Sequence, residues 1–167
     1  MPVDPRLSHL GPDGAPRMVD VGDKADTERV AVAEGRVRLS AAAEAALASG
    51  ATPKGDVLQI ARLAGIQGAK HTALLIPLCH PLPLDAVEVE VEPEPGGVRV
   101  RARVRTRWRT GVEMEALAAV SAACLTVVDM LKGVDRGLVI DGLRVVHKRG
   151  GRGGAWGRDP GVDPGAP

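Results

Sequence analysis

AVEVEVEPEPGGVRVRARVRTRWR, residues 86–109, decides the fold. Val87, Val89 and Val91 alternate with Glu88, Glu90 and Glu92. Val98, Val100, Ala102 and Val104 alternate with an arginine series from Arg99 to Arg109. A period of two places the apolar set on one face of a strand and the charges on the other. The pattern predicts an antiparallel hairpin with one core face and one solvated face. A four-residue loop, Pro93 to Gly96, is expected to set Glu90 opposite Arg99 and Glu88 opposite Arg101. Such pairs contribute roughly 0.2–1 kcal/mol each and help to fix register. They also neutralise the arginines, which argues against a basic ribbon for nucleic acid.

Working outward, the apolar run from Gly111 to Leu131 predicts a long helix, and GLVIDGLRVVHK, residues 137–148, a last strand. Upstream, ERVAVAEGRVRL, residues 28–39, reads as a strand interrupted at Gly35. Ser40 then caps a short Ala-rich helix that ends at Gly50. A second helix starts at Asp56, with Val57, Ile60, Leu63, Ala64 and Gln67 on one side. IPLCHPLP, residues 76–83, has too many prolines for a helix and is expected to be extended. The order β-α-α-β-β-α-β, with the two early helices as one crossover, gives a ferredoxin-like α+β fold. Its antiparallel sheet carries helices on one face, with an extra helix in the first crossover. Residues 1–16 are expected to be a flexible arm, 17–149 a single α+β domain and 150–167 a Gly/Pro-rich mobile tail.

The chain of 167 residues is long enough for one real core, and its net charge of +1 implies neither a nucleic-acid nor a membrane partner. It has no Phe or Tyr, and only Trp108 and Trp156, so base stacking on single strands has almost no platform. The core must come from Val, Leu, Ile and Ala. The longest apolar stretches fall short of a membrane span. The N-terminus lacks the apolar segment of a signal peptide. Cys79 and Cys124 match no zinc or redox spacing, and a cytoplasmic protein with unpaired thiols is expected.

Several residue pairs invite a chemical reading. Thr110 and Glu113 fit a capping box, and Glu115 is a second acid in the same first turn. At the other end, Asp129 and Lys132 share a face. A surface ion pair would explain them, yet the helix dipole disfavours Asp there. The chain has 17 Arg and 5 Lys. Arg keeps its proton, whereas a desolvated Lys can release it. Lys54, Lys70 and Lys132 are therefore candidates for proton transfer or phosphate binding. Lys54 also precedes a helix start, where phosphate is attracted; an exposed turn lysine is the plain alternative. His80, between Cys79 and Pro81, is held extended, which suits either ligand contact or a structural bond to backbone. No metal-ligand spacing, P-loop or dinucleotide fingerprint is present.

KGDVLQIARLAGIQGAK, LIPLCHPL, TGVEMEALAAVSAACLTVVDMLK and MVDVGDKADTERVA together resemble the signature segments of the cyclic pyranopterin monophosphate synthase family, molybdenum cofactor biosynthesis protein C. The likeness spans residues 17 to about 154. It implies a lyase that converts (8S)-3',8-cyclo-7,8-dihydroguanosine 5'-triphosphate to cyclic pyranopterin monophosphate and diphosphate. It implies a substrate supplied by a radical S-adenosylmethionine GTP cyclase, and a homohexamer built as a trimer of dimers. It implies no cofactor, and Mg²⁺ bound through the triphosphate is compatible with it. By the same likeness Asp129 is the acid/base residue, with Lys132 beside it, and Lys54, Glu113, Glu115 and His80 complete the catalytic set at a subunit interface. Leu78, Cys79, His80, Met114 and Glu115 contact substrate, and Lys70 and Arg29 hold the triphosphate.

Helix length adds a constraint. Glu113 and Asp129 are sixteen residues apart, roughly 24 Å along a continuous helix. One chain cannot easily bring both to one reacting atom, but two antiparallel helices across a two-fold axis can. Two other readings remain open on the residues alone. One is a non-catalytic module for a phosphorylated small molecule. The other is an RNA-binding protein that uses the arginine strand and the RGG triplets of the tail.

Overall fold

A computed structural model describes residues 10–157 except 12, 51, 53 and 152. Its strands are β1 (Thr27–Arg38), β2 (Ala86–Glu94), β3 (Gly97–Trp108), β4 (Val139–Arg149) and the two-residue β5 (Trp156–Gly157). Its helices are α1 (Ala41–Ser49), α2 (Val57–Lys70), the single turn α3 (Thr72–Leu75) and α4 (Glu113–Leu131). The sheet order is β2-β3-β1-β4-β5 and every pairing is antiparallel. The first four strands thus have the ferredoxin-like arrangement, with α1 as the extra helix in the first crossover.

The hairpin pairs its strands over their whole length, but its register differs from expectation by two residues. Glu88 faces Arg103, Glu90 faces Arg101 and Glu92 faces Arg99. The loop is shorter than four residues because Glu94 pairs with Gly97. Pro95 and Gly96, the latter at φ 74°, supply the two central positions of a tight turn. A two-residue slip preserves which face each side chain occupies. The solvated face is a lattice of ion pairs that includes Arg99–Glu92 at 2.5 Å, Arg103–Glu88 at 3.3 Å, Arg36–Glu94 at 2.8 Å and Arg144–Glu34 at 2.6 Å.

The other face buries Ala31, Ala33, Val37, Val89, Val91, Val98, Val100, Ala102 and Val104 against α2 and α4. Small side chains force close layers. A Cβ on Gly35 would stand 2.8 Å from Val120 Cγ1, so α4 fits only because β1 has no side chain there. β1 is not interrupted at Gly35: it runs unbroken along β3, and the irregularities fall in its pairing with β4. Between the helices, a Cβ on Gly68 would lie 2.6 Å from Ala122 Cβ and 2.7 Å from the Ala118 carbonyl oxygen. The face of α2 that turns inward is therefore Val57, Ala61, Gly65, Gly68 and Ala69, which shares only Val57 with the expected one. Leu63, 66% exposed, points outward. Close approach selects glycine and alanine over larger apolar residues.

Caps follow the sequence on α1 and α2. Ser40 accepts from the Ala43 N–H, Gly50 ends α1 at φ 66°, and Asp56 accepts from the Gln59 N–H. By length and composition α4 could cross a bilayer, contrary to the expectation that no apolar stretch was long enough. Here it is the core helix, with Ala116, Ala119, Val120, Ala123, Cys124 and Val127 fully buried. In the expected arm, Leu10 bridges to Pro16 around a small turn. In the expected tail, β5 pairs with His147 and Lys148. Residues 1–9, 12, 152 and 158–167 of those two segments lie outside the described residues.

Candidate active site

The sequence-predicted residues fall into two groups at opposite ends of α4. At its N-terminal end, Leu78, Cys79, His80, Glu113, Met114 and Glu115 line a cavity of 360 Å³, closed on one side by Val19, Val21 and Lys24. The proline-rich segment is held there by β3: Thr106 Oγ1 donates to the Pro83 carbonyl at 2.5 Å, and the Asp85 N–H donates to the Arg105 carbonyl at 2.9 Å. His80 Nε2 donates to the Val19 carbonyl at 2.8 Å. This bond ties the chain before β1 to the cavity wall and fixes a proton on Nε2.

The two glutamates of the first turn have separate environments. The expected capping box is absent: Val112 occupies the N-cap without a side-chain hydrogen bond, and the Thr110 hydroxyl donates to the Gly111 carbonyl. The Glu113 carboxylate folds over Gly111, where a Cβ would collide with it, and accepts from Lys148 Nζ at 3.1 Å. An ion pair with β4 has displaced the cap. Glu115 is only 4% exposed. Burial raises its carboxyl from 4.5 to about 7, with a smaller push from Glu113. Burial, and then Glu115, also raise the Cys79 thiol.

At the C-terminal end, Asp129 Oδ2 lies 2.5 Å from Lys54 Nζ and Oδ1 lies 2.7 Å from Lys132 Nζ. Lys54 Nζ also donates to the Asp129 carbonyl at 3.2 Å. Two ammoniums offset the dipole that disfavours Asp here. Hydrogen bonds from Lys132 and then Lys54 hold the Asp129 carboxyl down, at about 2. All three residues line a second cavity of 600 Å³ with Arg136.

Lys70 ends α2, and because Lys54, just before α2, pairs with Asp129 at the far end of α4, Lys70 lies toward the Glu113 end. Arg29 also belongs to that end, where its Nη2 donates to the Arg109 carbonyl at 3.4 Å. Neither lines the first cavity. The sequence reading missed Lys24 and Lys148. The scarcity of lysine would have found them, because these are the two lysines it did not pursue, and both stand at the cavity or on its Glu113.

The sequence profile of the MoaC family matches residues 18–151. The chain belongs to the MoaC family. Among curated relatives of this MoaC family member, the cyclic pyranopterin monophosphate synthase of Novosphingobium aromaticivorans is 53% identical over 150 residues, 90% of this chain and 96% of the relative. That of Thermomicrobium roseum is 55% identical over 155 residues, 92% and 93% of the two chains. Cyclic pyranopterin monophosphate synthase 2 of Mycobacterium tuberculosis (strain H37Rv) is 53% identical over 152 residues, 91% of each. The MoaC-family chain is an enzyme, and its role lies in molybdenum cofactor biosynthesis. Among solved structures, the de novo designed protein Foldit4 is similar at 15% identity and a TM-score of 0.30, over 71% of this chain and 96% of its own. That likeness bears on neither fold nor function.

Proposed function

We propose that the chain converts (8S)-3',8-cyclo-7,8-dihydroguanosine 5'-triphosphate to cyclic pyranopterin monophosphate and diphosphate, at sites that each draw on two subunits. One observation carries this reading: the acids and amines form two half-sites of complementary chemistry at opposite ends of α4, roughly 24 Å apart. The Glu113–Glu115 end of one protomer meets the Lys54–Asp129–Lys132 end of its partner when two α4 helices pack antiparallel. Leu63, Leu74 and Leu125, 66%, 82% and 60% exposed, supply apolar surface on α2, α3 and α4 for such packing. A trimer of such dimers is the assembly we favour.

The chemistry divides between the half-sites. Rearranging the guanine-derived ring moves protons at several atoms, which needs a group that titrates near neutrality. Glu115 is that group. Closing the cyclic phosphate forms a new P–O bond at the α-phosphorus and breaks the anhydride bond to the leaving diphosphate. The attacking hydroxyl gives up its proton. Lys54 and Lys132, aligned by the Asp129 anion, stabilise the charge that develops on the departing oxygens. Lys24, Lys148, Lys70 and Arg29 hold the phosphates, and His80 keeps the Val19–Lys24 segment in place. Mg²⁺ associated with the triphosphate enters with the substrate. The substrate comes from a radical S-adenosylmethionine GTP cyclase, and the reaction takes place in the cytoplasm.

The deciding experiment incubates the purified chain with the cyclised nucleotide. Stoichiometric diphosphate and cyclic pyranopterin monophosphate support the reading. Intact substrate after incubation with folded, oligomeric protein overturns it.

A further inference from the structure

Two glycines follow the last residue of β4. Gly150 and Gly151 have φ of 103° and 76°, in the left-handed region that other residues rarely adopt. Space is as restricted as torsion. A Cβ on Gly150 would overlap the Glu28 carbonyl oxygen and stand 3.0 Å from Arg29 Cδ. A Cβ on Gly151 would overlap Arg29 Nη1 and stand 2.8 Å from Cζ. The guanidinium of Arg29 is thus seated against bare backbone.

What else holds Arg29 is slight. Nη2 makes the long bond to the Arg109 carbonyl, Nε is buried without a hydrogen bond, and no carboxylate pairs with Arg29 among the described residues. Most other arginines at the sheet end and on its solvated face have an acidic partner, including Arg109 with Asp26 and Arg149 with Glu28. A guanidinium held by steric contact keeps most of its five donors for a ligand. Its surroundings suit an anion. Lys148 is the register partner of Ala31, so it is the diagonal neighbour of Arg29 on the helix-facing side. The Arg109 carbonyl leads directly into Thr110 and Gly111 of the cavity wall.

We propose that the Gly150–Gly151 turn is a positioning element that aims the Arg29 guanidinium at the polyphosphate of the bound ligand. This rests on Arg29 as a triphosphate contact. The turn supplies no ligand atom of its own. It acts by leaving room for a guanidinium that any side chain at 151 would displace.

Gly154 provides the control. Its φ of 63° is equally left-handed, but nothing lies within 4 Å of a Cβ placed on it. Inorganic triphosphate is titrated into the full chain by calorimetry, for wild type, Gly151→Ala, Gly154→Ala, Arg29→Ala and the Arg29→Ala/Gly151→Ala double variant, with thermal unfolding of each. Gly151→Ala is expected to weaken triphosphate binding about ten-fold, the scale of a charge-assisted hydrogen bond. Gly154→Ala is expected to leave it unchanged. In the Arg29→Ala background, Gly151→Ala is expected to add less than about two-fold, because its target is gone. Equal losses from Gly151→Ala in both backgrounds, or from Gly154→Ala and Gly151→Ala alike, overturn the proposal. So does a wild-type chain that does not bind triphosphate. A wild type that binds triphosphate with this mutational pattern, yet does not turn over the cyclised nucleotide, refutes the proposed reaction and leaves the positioning role standing.

Discussion

The Asp129 carboxylate holds two ammoniums at once: Lys54 Nζ lies 2.5 Å from Oδ2, seventy-five residues away in sequence, and Lys132 Nζ lies 2.7 Å from Oδ1. A carboxyl at about 2 stays ionised across the physiological range. In this arrangement the anion is placed to orient the two amines. Asp129→Asn keeps the shape and removes the charge. Diphosphate release is expected to fall at least about a hundred-fold, the lower end of what losing preorganised stabilisation of developing charge costs. Substrate affinity, measured by titration, should stay within a few-fold. Equal losses in affinity and turnover would mean that Asp129 merely holds the fold of that end.

Glu115 should govern the response to pH. Its folded carboxyl sits at about 7 against 4.5 when unfolded, so between those values the native state binds the extra proton. The unfolded state binds fewer protons there, and stability must fall as pH rises from about 4.5 to about 7. A shift of this size corresponds to roughly 3 kcal/mol at full effect, at 1.36 kcal/mol per unit. Glu115→Gln removes the titration. Its melting temperature should be flatter over pH 5–8, and above wild type at pH 8. The wild-type kcat/KM profile should also have a limb near pH 7 that the variant lacks.

These groups were legible in the sequence to different degrees. Ser40, Gly50 and Asp56 act locally, and their capping roles could be read from neighbouring residues alone. The hairpin faces were legible because period two survives a slip of two residues, whereas the register depended on the tightness of the Pro95–Gly96 turn. The inward face of α2 was not legible. A hydrophobic pattern counts Ile60 and Leu63 as core and cannot see that Gly65 and Gly68 mark where two helices touch. Glu113 was misread for a related reason: its partner, Lys148, is thirty-five residues away, and only the sheet brings it near. Likewise, His80 reaches a carbonyl sixty-one residues upstream.

The glycine contact gives a prediction about stability alone. Gly68→Ala inserts a methyl 2.6 Å from Ala122 Cβ and 2.7 Å from the Ala118 oxygen, and one of these is backbone that cannot step aside. Overpacking of this kind costs about 1–3 kcal/mol, more than the helix propensity gained from alanine. Urea denaturation should show a lower midpoint with an unchanged slope. A midpoint equal to wild type would mean that α2 and α4 separate more easily than their packing suggests.

The proposed shared site is tested by mixing two variants that are each expected to be inactive. Glu115→Ala disables the half-site at the N-terminal end of α4, and Asp129→Ala the one at its C-terminal end. In a dimer that carries one of each, one composite site contains both lesions and the other contains neither. Random reassembly gives half heterodimers, each with one intact site of two, so about a quarter of wild-type activity should return. Neither variant alone, nor two separately assembled samples combined without exchange, should recover activity. If each subunit carried its own complete site, every site in the mixture would contain a lesion. Tagged heterodimers, isolated and still inactive, would show that the two ends of α4 do not cooperate across a two-fold axis.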